Sequence, residues 1–367
     1  MKRTALMVVM NRLDTDARVK RAAEALSDSF NLQVVGVNIA SGSDKYAEII
    51  LHNKYKRRIL KYFEFVSSVK KIINKEAKNL SLVYLHDYYT AYLVKWLKRK
   101  YPGIKVVYDA HEVIIPEQGK KQAKREKFFY TFEKNAVKLC DLFICASPIR
   151  AVLLMNHYHL NTMPLSIENI SELPLVVDDI SNGILNDIDQ AIGLENNILV
   201  YAGAITISRK IEKLVEIIEK NPMAKLLVVG DGEYRKNLEE ICSSKIAGRF
   251  YFTGGVPYKY LGAILKKCAV GFISYPNDTL NNTYCAPNKI YEYASVCLPM
   301  IAPPNVTLDK FFEKYSIGVT GEDLSKAFSD VFSDIPAYKE NCQIFSEQNP
   351  WAKQKGILLD AVLNLYE

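Results

Sequence analysis

The chain has 367 residues, enough for two domains of ordinary size, and its 49% hydrophobic and 24% charged content matches soluble globular protein. A net charge of +7, from 48 Lys and Arg against 41 Asp and Glu, is too modest for a dedicated nucleic-acid binder. No apolar run approaches the roughly 18–20 residues that cross a bilayer, and seven cysteines without a Cys-x-x-Cys pair read as free thiols in a reducing cytoplasm.

The opening residues, Met1 to Met10, have a basic flank and an apolar stretch like a secretory leader. They run straight into Asn11-Arg12 with no small-residue cleavage site, so a first core strand is expected instead. Apolar runs then alternate with helical patterns: strand 4–10, helix 16–29, strand 32–38, a long basic helix 53–77, strand 81–85, helix 89–100, strand 104–108, helix 121–138 and strand 141–145. Ser166 to Asn197 is acidic and turn-rich, with little pattern, and reads as the boundary. The alternation restarts with strand 197–202, helix 209–219, strand 225–229, helix 233–243, strand 249–252, helix 259–268 and strand 270–274, and a last helix covers 351–366. Strands alternating with crossover helices predict parallel sheets, here two Rossmann-like halves with ligands at the carboxyl ends of the strands and a cleft between.

Residues 285–302 carry the strongest motif, Cys-Ala-Pro-Asn-Lys-Ile-Tyr-Glu-Tyr-Ala-Ser-Val-Cys-Leu-Pro-Met-Ile-Ala. Pro287 suits the first position of a helix, and the unpartnered amides from Asn288 and Lys289 onward, with the helix dipole, suit a phosphate. Glu292 lies one turn further on the same face, where a carboxylate can accept from the hydroxyls of a ribose. Gly203, after the strand at 197–202, permits a tight strand-to-helix turn.

Lysines and arginines crowd 54–75 and 120–130, interleaved with Ile59, Leu60, Phe63, Phe65, Phe128 and Phe129. Such segments either lie on an anionic membrane or turn an apolar stripe to the core and leave a solvated basic face. His86 and His111, each next to an acidic residue, follow neighbouring strands. They have no helical His-x-x-x-His spacing, so no metal is expected.

The Pro-Asn-Lys-x-x-Glu-Tyr run resembles the donor-binding motif of retaining GT-B glycosyltransferases, the family 4 group, of the bacterial surface-polysaccharide type. Asp16-Ala17-Arg18-Val19 resembles the Asp-x-Arg-Val opening of their first helix, and Asp109-Ala110-His111-Glu112 their Asp-x-His-Glu segment. The resemblance implies an acceptor-binding domain at 1–168, a linker at 169–196, a nucleotide-sugar domain at 197–348 and a return of 349–367 to the first domain. It implies a catalytic set of His111 near the donor sugar, Arg209 on the diphosphate and Glu292 on the ribose. Donor contacts would come from Gly203, Arg209, Lys210, Gly230, Val256, Pro287, Asn288, Lys289 and Glu292. Asp16, Arg18, His86, Asp87 and Glu112 would meet the acceptor, with Arg18 either reaching the cleft or pairing with Asp14.

The implied reaction moves a sugar from a nucleotide donor, UDP-linked rather than GDP-linked, to a glycan or lipid-linked glycan. It proceeds without metal or cofactor, with retention, the acceptor attacking on the face of the leaving group while the phosphate takes the proton. Peripheral contact with the inner face of the cytoplasmic membrane would follow from the two basic segments. Many relatives carry a second glutamate eight positions before the one matching Glu292, and Tyr284 stands there instead. Asn282, Thr283 and the Cys285 amide would then contact the sugar. The departure keeps open an alternative, a non-catalytic nucleotide-sugar-binding subunit of a transferase.

Overall fold

A computed structural model describes residues 2–117, 119, 124–194 and 197–367. They form two compact units, Met1–Asn169 with Ala352–Glu367, and Ile170–Trp351.

Among the described residues the first unit holds β1 (Arg3–Val8), α1 (Ala17–Ser27), β2 (Phe30–Val37), β3 (Ala47–Leu51), α2 (Arg58–Glu76), β4 (Leu80–His86), α3 (Ala91–Lys100), β5 (Lys105–Ala110), α4 (Lys124–Leu139), β6 (Leu142–Cys145), α5 (Pro148–Tyr158) and β7 (Leu165–Ser166). The strands pair in parallel in the order β3-β2-β1-β4-β5-β6-β7. A parallel sheet covered on both faces demands continuous apolar strands. The leader-like opening meets that demand: Ala5, Leu6, Met7 and Val8 are fully buried in the strand beside which the order reverses. Strand β3, absent from the sequence reading, lies at the sheet edge with no fully buried residue, so it lacks the apolar run that marks its neighbours.

The basic helix α2 buries Tyr62, Phe65, Val66, Val69 and Ile73, three or four residues apart, as an amphipathic helix must. The helix expected at 89–100 begins as a 3₁₀ turn over Tyr88–Thr90.

The second unit holds α6 (Asp179–Ile192), β8 (Ile198–Ala202), α7 (Lys213–Lys220), β9 (Lys225–Val229), α8 (Arg235–Lys245), β10 (Phe250–Gly254), α9 (Tyr258–Leu265), β11 (Val270–Phe272), α10 (Leu280–Thr283), α11 (Asn288–Ala294), β12 (Met300–Ala302), α12 (Val306–Tyr315), β13 (Gly318–Thr320), α13 (Leu324–Ser333) and α14 (Ile335–Gln348). Its parallel sheet runs β10-β9-β8-β11-β12-β13. Successive residues of β8 serve opposite faces, Val200 and Ala202 joining one apolar cluster, Leu199 and Tyr201 the other.

Three expectations are corrected here. The stretch read as a linker, 169–196, contributes α6, started by a reciprocal cap between Asp178 and Ser181 and packed through Ile188 and Ile192 on the second unit's core. Its acidic, turn-like start is the cap itself. The helix expected to open at Arg209 is a 3₁₀ turn over Ile207–Arg209, ended by Lys210 in a left-handed conformation (φ 48°), and α7 begins at Lys213. Pro287 is the residue before α11 rather than its first, with an extended ψ of 127°.

The last helix, α15 (Trp351–Leu363), packs on the first unit. Lys355 pairs with Asp28, the Tyr366 hydroxyl donates to the Ser81 carbonyl at 3.0 Å, and Arg3 lies 4.4 Å over the Tyr366 ring.

Candidate active site

In the first unit the loops after β1, β4 and β5 surround a cavity of about 880 Å³. Asp16, Asp87, His111 and Glu112 line it with Asn11, Tyr88 and Tyr89. Arg58, Lys61, Tyr62, Arg125, Phe128 and Phe129 of α2 and α4 complete the wall. Each position has a local cause. Asp16 caps α1 by accepting from the Val19 amide, and Asn11 also donates to it at 3.0 Å. Asp87 sits at φ 65°, ψ 162°, a region that costs any side chain about 1–3 kcal/mol, and accepts from the Tyr88 amide at 2.8 Å. Burial, reinforced by the nearby Glu112, raises the Asp87 pKa well above the ordinary carboxylate value.

Two residues expected to meet the acceptor lie behind this wall instead. Arg18 pairs neither with Asp14 nor with the cavity. Its guanidinium donates to both oxygens of Asp109, at 2.7–3.1 Å, to the Ile167 carbonyl at 2.7 Å and to Asn169 at 2.9 Å. Asp14 pairs with Arg12. A buried cation needs such partners, and the buried Asp109 carboxylate supplies the charge. Burial alone would raise Asp109, but Arg18 overrides it and holds the pKa well below the carboxylate range.

His86, fully buried, stacks on Tyr84 at 4.6 Å and places Nδ1 2.9 Å from His111 Nε2 and 3.5 Å from Asp109 Oδ2. Burial pushes the His86 pKa down to about 3 and lowers that of His111, so both rings are neutral at neutral pH. The His111 carbonyl accepts from Arg150 Nη1 at 2.7 Å, which ties this loop to α5. His86, Asp109 and His111 hold ligand-type atoms within 4.8 Å of one another. Arg18 already engages both carboxylate oxygens, and a second cation would sit against the guanidinium.

In the second unit Arg209 lies in the loop after β8, and Asn288, Lys289 and Glu292 lie on α11 between β11 and β12. Arg209 Nη1 donates to the Ser274 carbonyl at 2.9 Å, its guanidinium lies 4.2 Å over the Tyr275 ring, and the Ser274 hydroxyl donates to the Arg209 carbonyl. These contacts tie the loop after β8 to the loop after β11, strands adjacent at the point where this sheet's order reverses. Lys210 points to solvent, so Arg209 is the cation the fold holds in place. Glu292 is buried, pairs with Lys289 one turn back, and accepts from the Tyr258 hydroxyl at 3.4 Å. Asn288 and Lys289 are half-buried.

Gly230 acts through the backbone: a Cβ there would stand 2.0 Å from the Gly203 carbonyl, so the loop after β9 approaches the loop after β8 this closely only because residue 230 is glycine. Val256 is half-buried against the second unit's core. Of the residues proposed to replace a missing glutamate, Asn282 is held by Asp278 and by the Asn305 amide, which also donates to Tyr275 and Asn277. Asn305, buried at the start of α12, was missed in the sequence. An Asn just before an apolar helical pattern is its only local signal.

The basic segments divide. Arg58, Ile59, Lys61 and Arg125 line the cavity, while Leu60 and Phe63 stay exposed beside them at 39% and 55%. Lys120 and Lys121 lie outside the described residues. Among the described residues no helix is long and apolar enough to cross a membrane.

Residues 186–335, all within the second unit, match the family described as glycosyl transferases group 1. No curated protein sequence matches the chain. Among solved structures, a sucrose-phosphate synthase from Thermosynechococcus elongatus superposes with a TM-score of 0.77 at 16% identity, covering 100% of this chain and 99% of that one. HepE of Anabaena, in complex with UDP, gives 0.77 at 13% identity, covering 98% and 100%. WaaG, a glycosyltransferase involved in lipopolysaccharide biosynthesis, gives 0.69 at 12%, covering 97% and 98%. Two Rossmann-like units with parallel sheets in these orders are the GT-B fold.

Proposed function

We propose that this chain transfers a sugar from a UDP-linked donor to a glycan or lipid-linked glycan, with retention and without metal, as a family 4-type enzyme of bacterial surface-polysaccharide assembly. The observation that carries the reading is the family match over 186–335, which encloses Arg209, Lys289 and Glu292 at the strand ends where such a sheet binds ligands. Arg209 is fixed by the Tyr275 ring and the Ser274 carbonyl, as a cation must be to stabilise charge developing on a departing diphosphate. Glu292 would take the ribose hydroxyls in exchange for its contact with Tyr258, while Gly203 and Gly230 hold the loops that face the nucleotide. UDP is favoured because HepE was solved with UDP and with UDP-glucose.

In the first unit Asp16, Asp87, His111 and Glu112 offer polar contacts to an acceptor over an aromatic wall. Exposed Leu60 and Phe63 among Arg57, Arg58 and Lys61 favour an acceptor held at an anionic membrane surface, with the protein peripheral on its cytoplasmic face. The domain roles follow: acceptor recognition in residues 1–169, donor binding in 170–351.

The decisive experiment incubates the protein with UDP-sugars, without added metal and with EDTA, and measures UDP release and sugar transfer. Wild type is expected to release UDP and Arg209→Ala to lose about 10²–10³-fold in rate. Binding of UDP, read as a thermal shift, without any release would instead favour the non-catalytic subunit suggested by Tyr284. Sedimentation with anionic vesicles at low salt, abolished in the doubly substituted Leu60→Ser/Phe63→Ser protein, tests the membrane contact.

A further inference from the structure

From the cavity of the first unit inward, His111, His86, Asp109 and Arg18 form one chain of contacts whose proton positions are constrained by geometry. Among the described residues His86 Nε2, which is buried, has no hydrogen-bond partner, while Nδ1 faces His111 Nε2 at 2.9 Å and the Asp109 carboxylate at 3.5 Å. Two neutral arrangements satisfy the contact between the histidines. In one, the His86 proton is on Nδ1 and is donated to His111 Nε2, which puts the proton of His111 on Nδ1. In the other, His111 Nε2 donates to His86 Nδ1, and the proton of His86 is on Nε2.

The second arrangement strands a buried N–H without an acceptor and turns a lone pair toward a carboxylate. The first leaves only an unpaired acceptor and lets Asp109 attract the Nδ1 proton. Orphaned buried donors are rarer than under-satisfied acceptors, and the carboxylate acts in the same direction. Arg18 keeps Asp109 ionised and oriented for this task, and Tyr84, donating to Asp109 Oδ2 at 3.0 Å, holds its second oxygen.

We propose that His86 is a positioning residue that fixes the tautomer of His111, so that His111 presents an Nδ1–H donor, rather than a basic nitrogen, at its one uncommitted ring position. A neutral imidazole has one donor and one acceptor nitrogen, and a hydrogen bond at one assigns the other. His111 therefore serves a ligand by donating to an oxygen, such as a sugar hydroxyl or phosphate, and does not accept the proton of an attacking hydroxyl. This deepens the proposed transferase by excluding His111 as its general base, and rests on that reading only for the identity of the ligand.

The test is a long-range ¹H–¹⁵N correlation spectrum of the whole chain labelled with ¹⁵N-histidine at neutral pH. With five histidines, His86 and His111 are assigned by the loss of one pattern in His86→Asn and in His111→Gln. Wild-type His111 is expected to be protonated on Nδ1, with Nε2 showing the shift of a bare acceptor. In His86→Asn, whose side-chain amide can donate from near the position of Nδ1, His111 is expected to keep that pattern. In His86→Leu it relaxes toward the Nε2–H form that an unconstrained imidazole prefers. An Nε2–H pattern for His111 in wild type overturns the proposal without recourse to any variant, as does an unchanged Nδ1–H pattern in a folded His86→Leu protein. Failure of UDP release with the expected spectrum would overturn the transferase reading alone.

Discussion

The two units place their polar residues at equivalent strand ends but hold them differently. In the first, charge is buried: Arg18 and Asp109 are 10% and 1% exposed and satisfy each other out of reach of ligand, while Asp16, Asp87, His111 and Glu112 stand in front of them. In the second, the groups assigned to the ligand are themselves the paired ones, Lys289 with Glu292 and Arg209 with Tyr275 and Ser274. The first unit therefore separates support from contact. The second must exchange existing contacts when a ligand arrives. Substitutions behind the first cavity should then act on stability, and those in the second unit on binding and rate.

The largest effect is expected for Asp109→Ala. It leaves the Arg18 guanidinium buried without its countercharge, a change that costs about 3–5 kcal/mol, read as a lower denaturation midpoint of the first unit. Replacing both partners by apolar residues, Arg18→Met with Asp109→Leu, should recover most of that loss, because the unpaired charge is then gone. A loss below about 1 kcal/mol in the single variant would show the pair to be solvated and erase the contrast between units. Arg209→Ala, by comparison, should leave denaturation nearly unchanged and lower UDP release as described above.

Much of this division could be read from residue order. The parallel sheets and the positions of Asp16, His86, Asp87, His111, Glu112 and Arg209 at or after strand ends follow from where apolar runs stop. What could not be read was which way a side chain turns. Arg18 lies one turn from Asp14 in sequence, yet its partner is Asp109, 91 residues away. His86 and His111 each look like a ligand contact, and only the packing of β4 beside β5 makes one the support of the other. The helix α6 was missed because its cap residues, Asp178 and Ser181, are the same types that mark turns.

Glu133 sharpens the comparison through pH. It is fully buried, accepts from the Tyr108 hydroxyl at 3.2 Å and from Tyr158 at 3.1 Å, and burial raises its pKa to about 7. A carboxyl with a raised folded pKa binds its proton more tightly in the fold than in the unfolded chain. Its contribution is therefore full below the unfolded value near 4.5 and is lost as pH rises to about 7. Asp109 has the opposite sign: its contribution is present above the unfolded value and is lost as pH falls toward its depressed folded one. Glu133→Gln should remove the fall in stability between pH 4.5 and 7, an effect of about 3 kcal/mol for this shift, and be the more stable protein at pH 8. Parallel pH curves for variant and wild type would mean that Glu133 ionises as freely in the fold as outside it.

The smallest effect is expected at Asp87, and there the small size is the informative result. Burial, reinforced by Glu112, raises the pKa of its carboxyl and so favours the neutral form, it accepts from the Tyr88 amide, and its backbone lies at φ 65°. Asn reproduces the first two conditions, a neutral side chain of the same shape and an acceptor for the amide, and bears the same backbone strain that Asp already bears at φ 65°, ψ 162°. Asp87→Asn should change stability at pH 7 by less than about 0.5 kcal/mol, whereas Asp87→Ala loses the accepted hydrogen bond and keeps the strain. If acceptor use also survives in Asp87→Asn, the residue serves the cavity as a neutral hydrogen-bonding group. If acceptor use is lost while stability is kept, the ionised carboxylate is the form that works, and the front of the first cavity would carry charge as the second unit does.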